Sequence, residues 1–232
     1  MAVDKPPGLL VQSDQTQDED LISLGKAFLK ERDNKPGNVY LSALHRLDRP
    51  VSGLVLLAKT SKAATRMSRL FQERAVRKIY LGISRKQPAQ EYQNWMHFLE
   101  KDAGRNRVHV YERPRQRAKK AVTEMWSLGR TDKKSLLWLE PHTGRPHQLR
   151  AQTARAGHPL VGDLKYGSDV RTVDQSIGLH ALAMAFWHPV RAEWTVLRTD
   201  FPSHAFWPVF KALRATVFAA LEELAAPPSA SA

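Results

Sequence analysis

Cysteine is missing from all 232 residues. That absence excludes a disulfide scaffold, thiol chemistry and the common zinc-ligand sets, and it suits a reducing cytosol, so a cytoplasmic protein is expected. No segment approaches the roughly 20 consecutive apolar residues that a membrane-spanning helix needs, and no membrane partner is expected. The opening residues, MAVDKPPGLLVQ, lack a basic stretch followed by an apolar one, which argues against a secretory signal. Negative charge is also scarce: 23 Asp and Glu face 36 Lys and Arg, a formal net charge of +13. An excess this large favours a polyanionic partner, because every phosphate contacted releases counterions. By itself it also fits a soluble protein that merely repels its own copies.

What is present is ordinary for a globular chain with a real core: 42% apolar and 25% charged residues. The length suits one generous domain or two small ones, and neither an internal repeat nor a linker divides it. A single domain is therefore expected over residues 1–225, with the final APPSASA, 226–232, as a frayed tail. The segment VDKPPGLLVQ reads as a strand, a Pro-Pro-Gly turn and a second strand. Helices are expected from Asp18 to about Arg32, from Ser61 (as N-cap) to about Glu73, from Pro146 to Gly157, and from about Ser203 to Leu224. LVLLAKT, KIYLGIS, YQNWMHFL, KAVTEMWSL, SLLWLEP, GLHALAMAFWHP and EWTVLRT are β-branched or aromatic and read as strands. Strands outnumber helices without alternating strictly with them. The fold class is thus α+β, a mixed but mainly antiparallel sheet with flanking helices. Most of the six tryptophans fall within these strands and are assigned to the core.

Four segments carry candidate chemistry. In HRLDRPVSG, Asp48 stands among His45, Arg46 and Arg49 just before an apolar strand. Flanking guanidinium groups favour the ionised carboxylate, which could act as nucleophile or base toward a sugar carbon; a surface aspartate bridged to arginine in a turn has the same sequence. In HTGRPHQLR, a glycine turn leads to a helix start bearing Arg145, His147 and Gln148, suited to an anion, with Arg150 one turn further along. His142 and His147 lack the partners of a metal site, so no metal is expected. Tyr80 sits inside KIYLGIS with Ile79 and Leu81 on the opposite face, placed either for the core or to stack on a base. Finally, Arg113, Arg115, Arg117 and Lys119 alternate. In an extended segment they would line one edge at a spacing that follows phosphates; a solvated loop would look the same.

The order of the blocks VDKPPGLLV, HRLDRPVSGLVLLAKT, KIYLGI, HTGRPHQLR, GHPLVGDLKYG and GLHALAMAFWHP resembles the RluA-type family of RNA pseudouridine synthases, over about residues 3–189. The resemblance implies a pseudouridine synthase catalytic domain with a central RNA cleft, needing no cofactor and no metal. It further implies that Asp48 is the catalytic carboxylate, Tyr80 the active-site tyrosine and Arg150 the basic residue paired with the aspartate. The reaction implied is isomerisation of selected uridines in ribosomal or transfer RNA. Asp48 would attack C1′ or remove a C2′ proton, and Tyr80 would stack on the uracil and help remove the C5 proton. The base must leave its stack to be reached. Arg46 and Arg49 are candidates to fill the gap or hold phosphates, beside Arg145, His147, Gln148, Arg113, Arg115, Arg117 and Lys119 as RNA-binding residues.

Two departures from the family pattern stand out. Val51 replaces the usual threonine ahead of Ser52-Gly53, and Ala151-Gln152 replaces the usual valine and histidine, a change expected to be absorbed by packing. A small N-terminal S4 RNA-binding domain is not expected, and target choice would fall to the catalytic domain, acting as a monomer. Two other classes compete: a catalytically inert RNA-binding relative, and a glycoside hydrolase. The hydrolase normally needs two carboxylates across the cleft, and neither HRLD nor HQLR supplies the second.

Overall fold

A computed structural model describes residues 1–102, 104–131 and 133–223. The expected tail, 226–232, and the domain end at 225 lie outside the described residues. Among those residues, ten strands form one sheet: β1 (Ala2–Lys5), β2 (Ser42–Ala43), β3 (Ser52–Ala58), β4 (Arg77–Ser84), β5 (Tyr92–Asp102), β6 (Arg107–Tyr111), β7 (Lys119–Arg130), β8 (Ser135–Pro141), β9 (Leu179–Trp187) and β10 (Trp194–Arg198). Their order is β1-β3-β9-β4-β8-β7-β5-β6, with β2 paired to β3 and β10 to β9. Among these strands only β3 and β9 run parallel, with Ser52 opposite His180 and Gly53 opposite Ala181; every other pairing is antiparallel. The α+β class holds.

Local chemistry sets the helix starts. Helix α1 (Leu21–Arg32) begins later than Asp18, because Asp20 is its cap: the carboxylate accepts from Ile22 N at 2.9 Å and Ser23 N at 3.1 Å. Helix α2 (Ser61–Gln72) is capped by Thr60, whose hydroxyl accepts from Ala63 N at 3.1 Å, so Ser61 is its first residue and not its cap. Helix α3 (Gln148–Arg155) starts later than Pro146, since His147 turns left-handed at φ 49°, ψ 21°. The expected final helix divides into a 3-10 segment, Trp207–Leu213, with Pro208 near its start, followed by α4 (Arg214–Glu223). GLLVQ forms no second strand, only a bridge from Leu10 to Asp20. Strand β6 lies within the basic stretch, where two valines among Arg107 and His109 give little strand signal.

The central strands β3 and β8 are buried along their whole length, hence their unbroken apolar runs. One face of the sheet packs Val55, Leu139 and Leu179 against Leu21 and Leu29 of α1 and Leu149 of α3. The other packs Ile79, Leu81 and Ile83 against Trp207, Phe210 and Val217 of the C-terminal segment. Tyr80 therefore faces the opposite side from Ile79 and Leu81 and meets the first cluster. Trp95, Trp138 and Trp207 are core residues, but Trp187 is 50% exposed and falls outside that expectation, because β9 reaches the surface at its end. Gly53 has φ +113°, and a Cβ there would lie 2.2 Å from the Ala181 carbonyl oxygen, so glycine permits the close β3–β9 approach beside the Asp48 turn.

Candidate active site

Asp48 lies in the turn that enters β3, closed by Val51 N donating to the Asp48 carbonyl at 3.0 Å. Val51 is buried in the apolar cluster, so at this position packing, not a hydroxyl, holds the turn. The turn is fastened from the other side by the N-terminal segment. Lys5, 0% exposed, donates from Nζ to the carbonyls of Pro6 and Leu9 at 2.8 Å and of Arg49 at 3.3 Å. Burial pushes this ammonium down to about 8, against the opposing pull of the Asp48 charge. Gly8 N donates to Arg49 O at 2.8 Å, and Arg49 Nε returns a bond to Gly8 O at 2.9 Å. Sequence reasoning assigned Lys5 no role; its one visible signal is a lysine between an apolar strand and a Pro-Pro-Gly turn.

Across 102 positions of sequence, Arg150 Nη1 donates to Asp48 Oδ2 at 2.8 Å. The opposite edge of the same guanidinium is gripped by Asp163, Nε to Oδ2 at 2.7 Å and Nη2 to Oδ1 at 2.8 Å. Burial works against the Arg150 charge, but bonds and charges from Asp163 and then Asp48 outweigh it and hold the guanidinium more firmly protonated than usual. The Tyr166 ring supports it from one face, with a centroid 5.2 Å from Cζ. Asp163 is 1% exposed and Asp48 29%, so one carboxylate anchors and the other remains partly open to solvent. Asp163 and Tyr166 belong to the GDLKYG block, which carried no assigned role; the acidic and aromatic residues there were its only signal. Asp163 is also the second carboxylate the hydrolase alternative lacked, yet it is buried and bonded through both oxygens to Arg150.

Tyr80 stands on β4, between β9 and β8. Burial, and then the Asp48 charge, push its phenol well up, so it remains an O–H group. Among the described residues its hydroxyl has no hydrogen-bond partner, leaving it available to a ligand. His45 is structural: Nε2 accepts from Leu56 N at 3.0 Å, the ring stacks on Phe71, and burial lowers it to about 4.

The candidate RNA contacts separate into distinct environments. Arg46 is exposed and without a partner among the described residues, whereas Arg49 is tied to Gly8 and, from Nη1 at 2.6 Å, to Asp18. Arg145 Nε donates to Lys120 O at 3.1 Å. Gln148 is buried, with Nε2 donating to Val122 O at 3.0 Å and Thr123 Oγ1 at 2.9 Å, and with Oε1 accepting from Thr143 Oγ1 at 2.7 Å; it braces the turn and shows little surface. His147 points inward. Arg113, Arg115 and Arg117 are exposed in a turn and not in an extended strand, because Pro114 offers no N–H and Ala118 N closes on Arg115 O at 3.1 Å. Arg115 covers the Tyr111 ring at 4.1 Å, and Lys119 opens β7.

Gln152, where histidine is usual, does more than fill space. Its Oε1 accepts from Thr123 Oγ1 at 2.8 Å, and its Nε2 meets His97 Nδ1 at 3.0 Å and Trp95 O at 3.2 Å. No cluster of three or more His, Asp or Glu that could hold a metal occurs among the described residues, and no helix there is long and apolar enough to cross a membrane.

The chain is similar to known proteins in both sequence and fold. A relative named "Uncharacterized RNA pseudouridine synthase" from Aquifex aeolicus is 30% identical over 86% of the chain, which spans 66% of that protein's length. The "Dual-specificity RNA pseudouridine synthase RluA" of Pasteurella multocida is 32% identical, covering 84% of this chain and 85% of its own. The solved structure of "Human RNA Pseudouridylate Synthase Domain Containing 4" shares the fold with a TM-score of 0.70 at 24% identity, over 87% of this chain and 85% of that one. The family profile described as "RNA pseudouridylate synthase" matches residues 1–155, which include Asp48, Tyr80 and Arg150. The chain belongs to the RNA pseudouridine synthase family.

Proposed function

We propose that this protein isomerises specific uridines of ribosomal or transfer RNA to pseudouridine, as a cytoplasmic monomer, with Asp48 and Tyr80 as catalytic residues and Arg150 positioning Asp48. The observation that carries this is the ordered chain Asp163–Arg150–Asp48, in which a buried carboxylate clamps a guanidinium whose remaining nitrogen holds a partly exposed carboxylate. In the reaction the C1′–N1 bond breaks, the uracil turns, C5 bonds to C1′, and the C5 proton leaves. A single ionised carboxylate suffices to act at the sugar. Tyr80, a neutral phenol close enough to Asp48 to feel its charge, offers a ring on which the uracil can stack and a hydroxyl that can donate to it. A buried neutral phenol is a poor base, which supports the stacking role over removal of the C5 proton. Arg46, exposed and unpaired among the described residues, is better placed than Arg49 to enter the gap left by the flipped base. Arg113, Arg115, Arg117, Lys119 and Arg145 extend a positive surface for the phosphates.

The test is tritium release from transfer and ribosomal RNA transcribed with 5-tritiated uridine, with free uracil measured in parallel. Wild type should release tritium without uracil, and Asp48→Ala should release none. Uracil release would indicate a hydrolase; RNA binding without release from any pool would indicate an inert RNA-binding relative.

A further inference from the structure

His147 is placed in a way that contact with RNA does not explain. Its backbone is left-handed, at φ 49° and ψ 21°, a region that few residues other than Gly, Asn, Asp and His adopt. Its side chain is only 11% exposed. The ring turns inward, with Nδ1 2.8 Å from the Tyr166 hydroxyl and Nε2 3.8 Å from Asp48 Oδ2. Tyr166 is itself tied down, for its hydroxyl accepts from Val108 N at 2.9 Å.

These contacts determine where the ring proton sits. If it were on Nδ1, the Tyr166 oxygen would accept twice and its own proton would have no acceptor among the described residues. With the proton on Nε2, the Tyr166 O–H donates to Nδ1 and every proton is directed at an acceptor. Burial, partly offset by the Asp48 charge, favours the neutral ring that this arrangement needs. The Nε2–H then faces the same Asp48 oxygen that takes the Arg150 bond at 2.8 Å. Asp48 Oδ1 has no hydrogen-bond partner among the described residues. Both donors thus address one oxygen and leave the other free.

We propose that His147 is a positioning residue: with its tautomer set by Tyr166, it presents Nε2–H to Asp48 Oδ2 beside Arg150, so that Oδ1 is the oxygen aimed at the ribose. The inference rests on Asp48 being the catalytic carboxylate. The gap must close by about 1 Å to make a hydrogen bond, a tightening that substrate commonly brings about.

Two substitutions separate the parts of this arrangement. Asparagine favours the left-handed backbone and can accept from Tyr166, but it stops short of Asp48. Glutamine places an amide N–H where Nε2 stood. Kinetics of tritium release should show kcat for His147→Asn reduced about 100-fold with KM nearly unchanged, and His147→Gln recovering to within about 10-fold of wild type. Thermal midpoints of both variants verify folding. An undiminished kcat in His147→Asn would overturn the proposal, as would equal losses in the two variants carried by KM. Asp48→Asn, run alongside, should be inactive; an active Asp48→Asn would remove the underlying assignment of Asp48 and the positioning role with it, whereas an inactive Asp48→Asn beside an unimpaired His147→Asn would overturn the positioning role alone.

Discussion

Arg150 has to hold two carboxylates at once, Asp163 along one edge and Asp48 at the remaining nitrogen. Only a planar fork with several fixed donors can do this; an ammonium is a point charge on a flexible stem. Arg150→Lys keeps the charge but must release one partner, and Asp48 then loses its orientation. The expected outcome is a fall in kcat of about 100-fold with RNA affinity little changed, measured by tritium release and by filter binding. A loss in affinity alone would show that Arg150 serves RNA and not Asp48. The Lys5 anchor works on the same carboxylate from its backbone side, through the Arg49 carbonyl. Asp48 is therefore fixed twice, by side chain and by turn, and these constraints come from residues far apart in sequence.

Among the elements, the connection from β6 to β7 keeps its charged side chains on the surface. It leaves the sheet edge, passes the end of β5 and carries Arg113, Arg115 and Arg117 in an exposed turn, while Arg145, just ahead of α3, bonds to Lys120 where β7 begins. The strand that follows the basic turn is thus bonded to the segment that carries His147 and Arg150. Replacing all three arginines with alanine should weaken RNA binding without altering kcat at saturation. It should also flatten the dependence of log affinity on log salt by about one unit for each phosphate that the protein no longer neutralises. An unchanged salt slope would place the RNA elsewhere. That alternating arginines formed a turn and not a strand follows from Pro114, together with the crossover that β6 must make past β5 to reach β7.

On the scale of the whole molecule, two enclosed histidines tie fold stability to pH. His45 is lowered to about 4 and His180 to about 3, each mainly by burial, and each is hydrogen-bonded as a neutral ring. Their folded values lie below the unfolded value of about 6.5. Their contribution is therefore complete above about 6.5 and declines as pH falls toward 4, where the unfolded chain takes up protons that the folded chain refuses. Urea unfolding should lose about 2 kcal/mol per histidine between pH 7 and pH 5, and His45→Gln should remove its share of that slope. An unaltered slope in His45→Gln would exclude it as a source. Such long-range burial shows where sequence stops being legible. β3, β4, β7, β8 and β9 could be read because strands buried in a sheet centre must be continuously or alternately apolar, whatever their neighbours. β2 and β6 could not, since short or charged strands exist only because a partner strand lies beside them. Asp48, Tyr80 and Arg150 were singled out through the order of the blocks, because each segment taken alone fits a structural role equally well. Which residues stand behind them was decided by tertiary structure: Lys5, Asp163, Tyr166 and the inward turn of His147 acquire their roles only when the sheet brings four separate segments around one carboxylate, and a hydrogen bond has no existence until both partners have been placed.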